Sequence, residues 1–154
     1  MAHPPQLQDI AVLVVEDDED YRELTLATLR ECCDPARILG VADGERALDW
    51  LLGRRAHAGR DTRRQPRLVV LDLTLERVHG IDVLEAMRDD PLTQGVPVVV
   101  LSGTSDKAEL DRCYQAGANS VVRKTVDPAE LRRKLHQMYE FWITVNEANR
   151  NSRV

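Results

Sequence analysis

Short unbroken apolar runs alternate along the chain with stretches whose apolar residues recur at helical spacing. "IAVLVV" (10–15) is continuous, as expected of a strand buried on both faces. From Asp18 to about Cys32 the period becomes helical, through Tyr21, Leu24, Thr25, Thr28 and Leu29. "RILGVA" (37–42) predicts a second strand. Asp43 stands as an N-cap before "GERALDWLLG", where Ala47, Leu48, Leu51 and Leu52 share a face. "LVVL" (68–71) predicts a third strand, and Ile81 to Asp89 a short helix. "VPVVVL" (96–101) predicts a fourth strand, with Pro97 at its beginning, where a proline is tolerated. A helix follows from about Ser105 to Ala116, closed by Gly117. "NSVVR" (119–123) predicts the fifth strand. Asp127 then caps a last helix, with Pro128 at its first position and Glu130 three residues after the cap, a capping-box arrangement.

Strands alternating with helices imply a parallel sheet covered by helices on both faces. The predicted class is therefore α/β: a doubly wound five-stranded parallel sheet with five helices over residues 9–147, a tail at 1–8 and a polar tail at 148–154. The Arg-rich connection "RRAHAGRDTRRQPR" (54–67) enters the third strand at its N-terminal end, away from the edge where such sheets bind ligands. It reads as a solvated loop rather than a basic binding patch.

The last helix carries half of the six aromatic residues of the chain, Tyr139, Phe141 and Trp142, within four positions. Leu131, Leu135, Met138, Trp142 and Val145 fall along one stripe. A helix from Asp127 to about Asn146 is roughly 30 Å long, whereas a five-residue strand spans about 17 Å. The sheet covers the Leu131 to Met138 end, and the Phe141 to Val145 end overshoots it. Large apolar side chains left exposed mark an interface, so the expected contact is a homodimer through Phe141, Trp142 and Val145, adjoining Met138.

Composition narrows the function. The chain of 154 residues is 43% apolar and 31% charged, as for a soluble globular domain. Its net charge of −5 argues against general nucleic-acid or anionic-membrane binding. No apolar run approaches the roughly 20 residues of a spanning helix, and the N-terminus has no secretory pattern. Three cysteines, two of them adjacent at Cys32 and Cys33, make neither a disulfide framework nor zinc spacing. A reduced, cytoplasmic protein is the expectation.

The polar residues that end the strands point to chemistry. The first strand ends in Glu16-Asp17-Asp18, the third in Asp72, the fourth in Ser102, and Lys124 follows the fifth. A parallel sheet brings all these ends to one rim, the usual ligand crevice of open sheets. Carboxylates from the first and third strands would lie within roughly 5 Å, each like-charged pair costing about 3 kcal/mol at an effective dielectric near 20. A divalent cation relieves that repulsion, and an all-oxygen set suits Mg²⁺ (or Mn²⁺) rather than zinc or copper. A cation, an amine and a hydroxyl around an aspartate are what phosphoryl transfer onto that aspartate needs.

With "VLVVEDDED", "LVVLDLTLERVHGIDVL", "VPVVVLSGTSD" and "AGANSVVRK" in this order, the chain resembles the response-regulator receiver domains of two-component signalling over about residues 9–145. The resemblance implies the flavodoxin-like strand order 2-1-3-4-5. It also implies Asp72 as phosphoacceptor, with Asp17, Asp72 and the backbone carbonyl of Thr74 on the metal and Glu16 holding a metal-bound water. Lys124 would pair with phosphoryl oxygens, and Ser102 would bond the phosphoryl group as the switch. Thr74 and Thr104 occupy positions that tune access of the hydrolytic water. The implied upstream partner is a sensor histidine kinase. Within the family the chain looks most similar to the short receivers paired with bacterial phytochromes, through its length, the long connection before the third strand and the Tyr-Glu-Phe-Trp stretch. That would make the kinase light-sensing.

Three positions depart from the family pattern. Glu76 and Thr125 stand where a proline is common, and Val121 stands where an aromatic switch residue is usual. The Lys124–Thr125 peptide, often cis in the family, would cost about 3–4 kcal/mol to hold cis without proline. Other functions fit less well. A flavin or nucleotide domain needs a Gly- or hydroxyl-rich loop where Glu16-Asp17-Asp18 stands. A haloacid-dehalogenase-like phosphatase needs a second Asp where Thr74 stands. A receiver that only binds is disfavoured because the acids, the hydroxyl and the lysine are all present.

Overall fold

The computed structural model describes residues 10–148. Its elements run β1 (Val12–Val15), α1 (Glu19–Arg30), β2 (Ile38–Val41), α2 (Gly44–Leu52), β3 (Leu68–Asp72), α3 (Gly80–Asp89), β4 (Val98–Ser102), α4 (Lys107–Ala116), β5 (Ser120–Arg123) and α5 (Pro128–Tyr139). The strands form one parallel sheet in the order β2-β1-β3-β4-β5. The tail expected at 1–8, and all but Ala148 of the tail expected at 148–154, lie outside the described residues.

The continuous apolar runs have the expected cause. Every residue of β1, β3 and β4 is buried, because helices cover both faces of these inner strands. Val12, Val14, Leu68, Val70, Val99 and Leu101 pack with α1 and α5. Leu13, Val15, Val69, Leu71, Val98 and Val100 pack with α2, α3 and α4. Helix α4 commits a single buried side chain, Cys113.

The helix caps follow the sequence. Asp18, Asp43, Asp106 and Asp127 each accept a hydrogen bond from a backbone amide of the first turn of their helix. Gly117 ends α4 at φ +109°, the left-handed region that glycine favours. The capping box at α5 does not form. Glu130 instead accepts from the Thr125 hydroxyl at 3.2 Å and pairs with Lys134, while the Asp127 amide donates to Thr125 Oγ1. Thr125 therefore occupies the place of the reciprocal acceptor. The described residues contain no cis peptide, so Lys124–Thr125 is trans.

Three further expectations are corrected. Leu24, placed on the core face of α1, is 41% exposed, and Leu26 is buried instead. The connection 54–67 is not merely solvated. Arg60 lies 3.7 Å over the Trp50 ring and donates to the carbonyls of Trp50 and Leu51 at the end of α2, and Gln65 Nε2 also donates to the Leu51 carbonyl at 2.9 Å. Finally, the last helix does not continue as one α-helical stripe. Beyond Tyr139 the chain widens into a π-helical segment, Glu140–Val145, with Asn146 N donating to the Phe141 carbonyl. The wider turn changes which side chains share a face. Met138, expected to adjoin an intermolecular contact, is buried within the chain, and Trp142 and Ile143 are half-buried against the α1/α5 core. Phe141 and Val145 are exposed at 48% and 61%.

Candidate functional site

Register sets the heights of the functional side chains. Val15 lies level with Leu71, so Glu16 and Asp72 emerge side by side at the ends of β1 and β3. Asp72 lies level with Leu101, and Ser102 with Arg123, which places Ser102 and Lys124 on the same rim. The amide of Lys124 donates to the Ser102 carbonyl at 2.8 Å and fixes the strand-to-loop exit.

Carboxylate oxygens of Glu16, Asp17 and Asp72 lie within 4.8 Å of one another. Glu16 and Asp72 are buried, at 2% and 3% exposure, and Asp17 is half-buried. The Lys124 ammonium reaches into the cluster, 2.6 Å from Glu16 Oε1 and 3.2 Å from Asp72 Oδ1. Burial, reinforced by the adjacent Asp72, pushes the Glu16 carboxyl up to about 8 against the pull of Lys124. Burial alone would lower the Lys124 ammonium, but Glu16 and Asp72 outweigh it and raise it. One lysine thus leaves three crowded carboxylates under-compensated. Hard oxygen donors with excess negative charge fit a divalent cation of the Mg²⁺ type.

The loop after β3 is held by its buried side chains. Leu73 and Leu75 turn inward while Thr74 and Glu76 face out. The Thr74 amide donates to Asp72 Oδ1 at 3.3 Å. Ser102 Oγ accepts from the Thr104 amide at 3.1 Å, which leaves the hydroxyl proton free to be donated elsewhere. Thr104 Oγ1 accepts from the Asp106 amide, so the hydroxyl that follows β4 braces the start of α4.

Two residues that sequence reasoning did not single out belong to the site. A Cβ on Gly80 would stand 2.5 Å from the Asp72 carbonyl and 2.8 Å from that of Leu73. The start of α3 therefore lies directly against the backbone of the phosphoacceptor candidate, and only glycine permits it. A glycine in the first turn of a helix was the available signal. Tyr21, read as a core-face residue, places its ring 4.4 Å from the Lys124 ammonium. No spacing rule links residues 103 positions apart in sequence, so nothing local announced it. Val121 is half-buried against the α2/α3/α4 core, and its amide donates to the Tyr114 hydroxyl at 3.2 Å.

Comparisons with known proteins agree with this geometry. The family described as response regulator receiver domain matches residues 12–136. The chain is 32% identical over 137 residues to the probable methanogenesis regulatory protein FilR2 of Methanothrix harundinacea, covering 89% of this chain and 86% of that one. It is 35% identical over 120 residues to the DNA-binding response regulator MtrA of Mycolicibacterium smegmatis, covering 78% of this chain but only 46% of that relative. Among solved structures, the phosphorylated cyanobacterial phytochrome response regulator RcpA matches with a TM-score of 0.82 at 26% identity, over 89% of this chain and 96% of that one. The bacteriophytochrome response regulator AtBRR matches with a TM-score of 0.68 at 33% identity, over 88% and 96%.

Proposed function

The chain belongs to the response regulator receiver domain family, and from that premise we propose that Asp72 accepts a phosphoryl group from a sensor histidine kinase. The observation that carries the proposal is the under-compensated carboxylate cluster with Lys124 3.2 Å from Asp72. A carboxylate oxygen of Asp72 attacks phosphorus, the P–N bond of a phosphohistidine breaks, and its electron pair leaves with the imidazole. Lys124 neutralises phosphoryl oxygens as the bond forms, and the free proton of Ser102 is donated to one of them. Asp17, Asp72 and the Thr74 carbonyl, supported by Glu16, would hold Mg²⁺ or Mn²⁺, which supplies charge stabilisation to the transferring group.

The output is a changed interaction rather than a chemical product. Ser102 and Thr104 start the loop into α4, whose single buried side chain leaves it free to shift. The exposed Phe141, packed edge-on to Trp142 with ring centroids 5.0 Å apart, supports a homodimer contact through the end of α5. Likeness to solved structures named as phytochrome response regulators supports a light-sensing kinase as the donor.

Incubation with acetyl phosphate and Mg²⁺ tests the reading by intact mass. The expected result is a gain of one phosphoryl group, absent in Asp72→Asn. No gain with any donor would overturn it in favour of a receiver that only binds.

A further inference from the structure

We infer that Tyr21 is a positioning residue for Lys124, holding its ammonium at the rim by the face of the ring while the lysine exchanges carboxylate partners for phosphoryl oxygens. The inference rests on the phosphoacceptor reading of Asp72. Before transfer, Lys124 contacts Glu16 at 2.6 Å and Asp72 at 3.2 Å. During transfer an Asp72 oxygen bonds to phosphorus, the donor's P–O or P–N bond breaks, and the electron pair departs with acetate or imidazole. Negative charge on Asp72 then passes outward to the phosphoryl oxygens. Lys124 must follow that charge, although Glu16 draws it the other way.

The Tyr21 ring is suited to this exchange. A ring face attracts a cation over a broad area, without the directional preference of a carboxylate. It lets the ammonium shift between acceptors and still confines it to the site. The ring also removes water from one side of the ammonium, which strengthens its attraction to whichever oxygens it faces.

Tyr21 is itself well anchored. Its amide donates to the Asp18 side chain at 2.9 Å in the first turn of α1, and its side chain packs against the α1/α5 core. Its hydroxyl is buried with the Thr125 backbone as its polar neighbour. The ring face is the part of the side chain that meets the ammonium, 4.4 Å away.

The test compares the wild type with Tyr21→Phe, Tyr21→Leu and Tyr21→Met, each confirmed as folded by circular dichroism. Phosphorylation by acetyl phosphate in Mg²⁺ is followed by intact mass. The expected result is a rate roughly fivefold lower in Tyr21→Leu and Tyr21→Met, most of it restored in Tyr21→Phe. In unphosphorylated protein, the ε-methylene protons of Lys124 should carry a ring-current shift that survives in Tyr21→Phe and vanishes in the aliphatic variants. A wild-type rate in Tyr21→Leu or Tyr21→Met overturns the inference, as does a Tyr21→Phe rate as low as theirs. Those outcomes leave the phosphoacceptor reading standing. Absence of labelling in the wild type overturns that reading, and this inference with it.

Discussion

The Tyr114 hydroxyl on α4 accepts a 3.2 Å hydrogen bond from the Val121 amide on β5. Strand β5 is the edge of the sheet, so this amide has no strand partner on its outer side. An aromatic side chain thus links α4 to β5 at the very position where Val121 replaces the aromatic usual in the family. Tyr114→Phe keeps the ring and removes the acceptor. It should lower stability by about 0.5–1.5 kcal/mol in urea denaturation and speed hydrogen exchange at the Val121 amide. Unchanged exchange there would show that the hydroxyl does not tie the helix to the strand.

Gly80 makes a stronger prediction. A methyl group placed 2.5 Å from the Asp72 carbonyl must displace backbone, not a flexible side chain. Gly80→Ala should cost about 1–3 kcal/mol and slow phosphorylation by acetyl phosphate, because the loop carrying Thr74 moves. Retention of both stability and rate would show that α3 can retreat without disturbing Asp72.

The carboxylate cluster should make the fold sensitive to divalent cations. Binding relieves repulsion that exists only in the folded state, where oxygens of Glu16, Asp17 and Asp72 lie within 4.8 Å. Mg²⁺ at a hundredfold over its Kd should stabilise the protein by about 2.7 kcal/mol, and EDTA should reverse the gain. Asp17→Asn should abolish most of it. A urea midpoint indifferent to Mg²⁺ would remove the cation from the mechanism.

At the end of α5, Phe141→Ala is a cleaner probe of the dimer than a change at Trp142. Phe141 is 48% exposed, whereas Trp142 also supports its own core. Light scattering should show Phe141→Ala shifted toward monomer with little change in thermal stability. A mass equal to that of the wild type, already monomeric, would return the aromatic cluster to an intramolecular role.

Much of the site was legible because it is written at strand ends. Glu16, Asp72 and Ser102 each follow or close an apolar run, and parallel topology brings such ends together whatever the details of packing. Caps were legible for the same local reason: Asp43 and Asp127 act on amides two or three residues away, whereas the Asp106 cap, one residue past the expected start of its helix at Ser105, emerged only in the structure. The π-helical segment was not legible. The sequence of Glu140–Val145 satisfies an α-helical period as well as it does the wider turn, and packing of Trp142 and Ile143 against the body separates the two.

The sequence by itself determined the five-stranded α/β fold, the rim on which the acids, hydroxyl and amine meet, and the family. These depend on periodicity and on residues at fixed offsets, which every local segment repeats consistently. Tertiary structure alone decided that Tyr21 faces Lys124, that Gly80 lies on the Asp72 backbone, and that Tyr114 binds the edge of β5. Each of these contacts joins different elements at distances of a few ångströms. Such contacts are set by the relative placement of helices on the sheet, which packing of the whole core determines and no single stretch of sequence encodes.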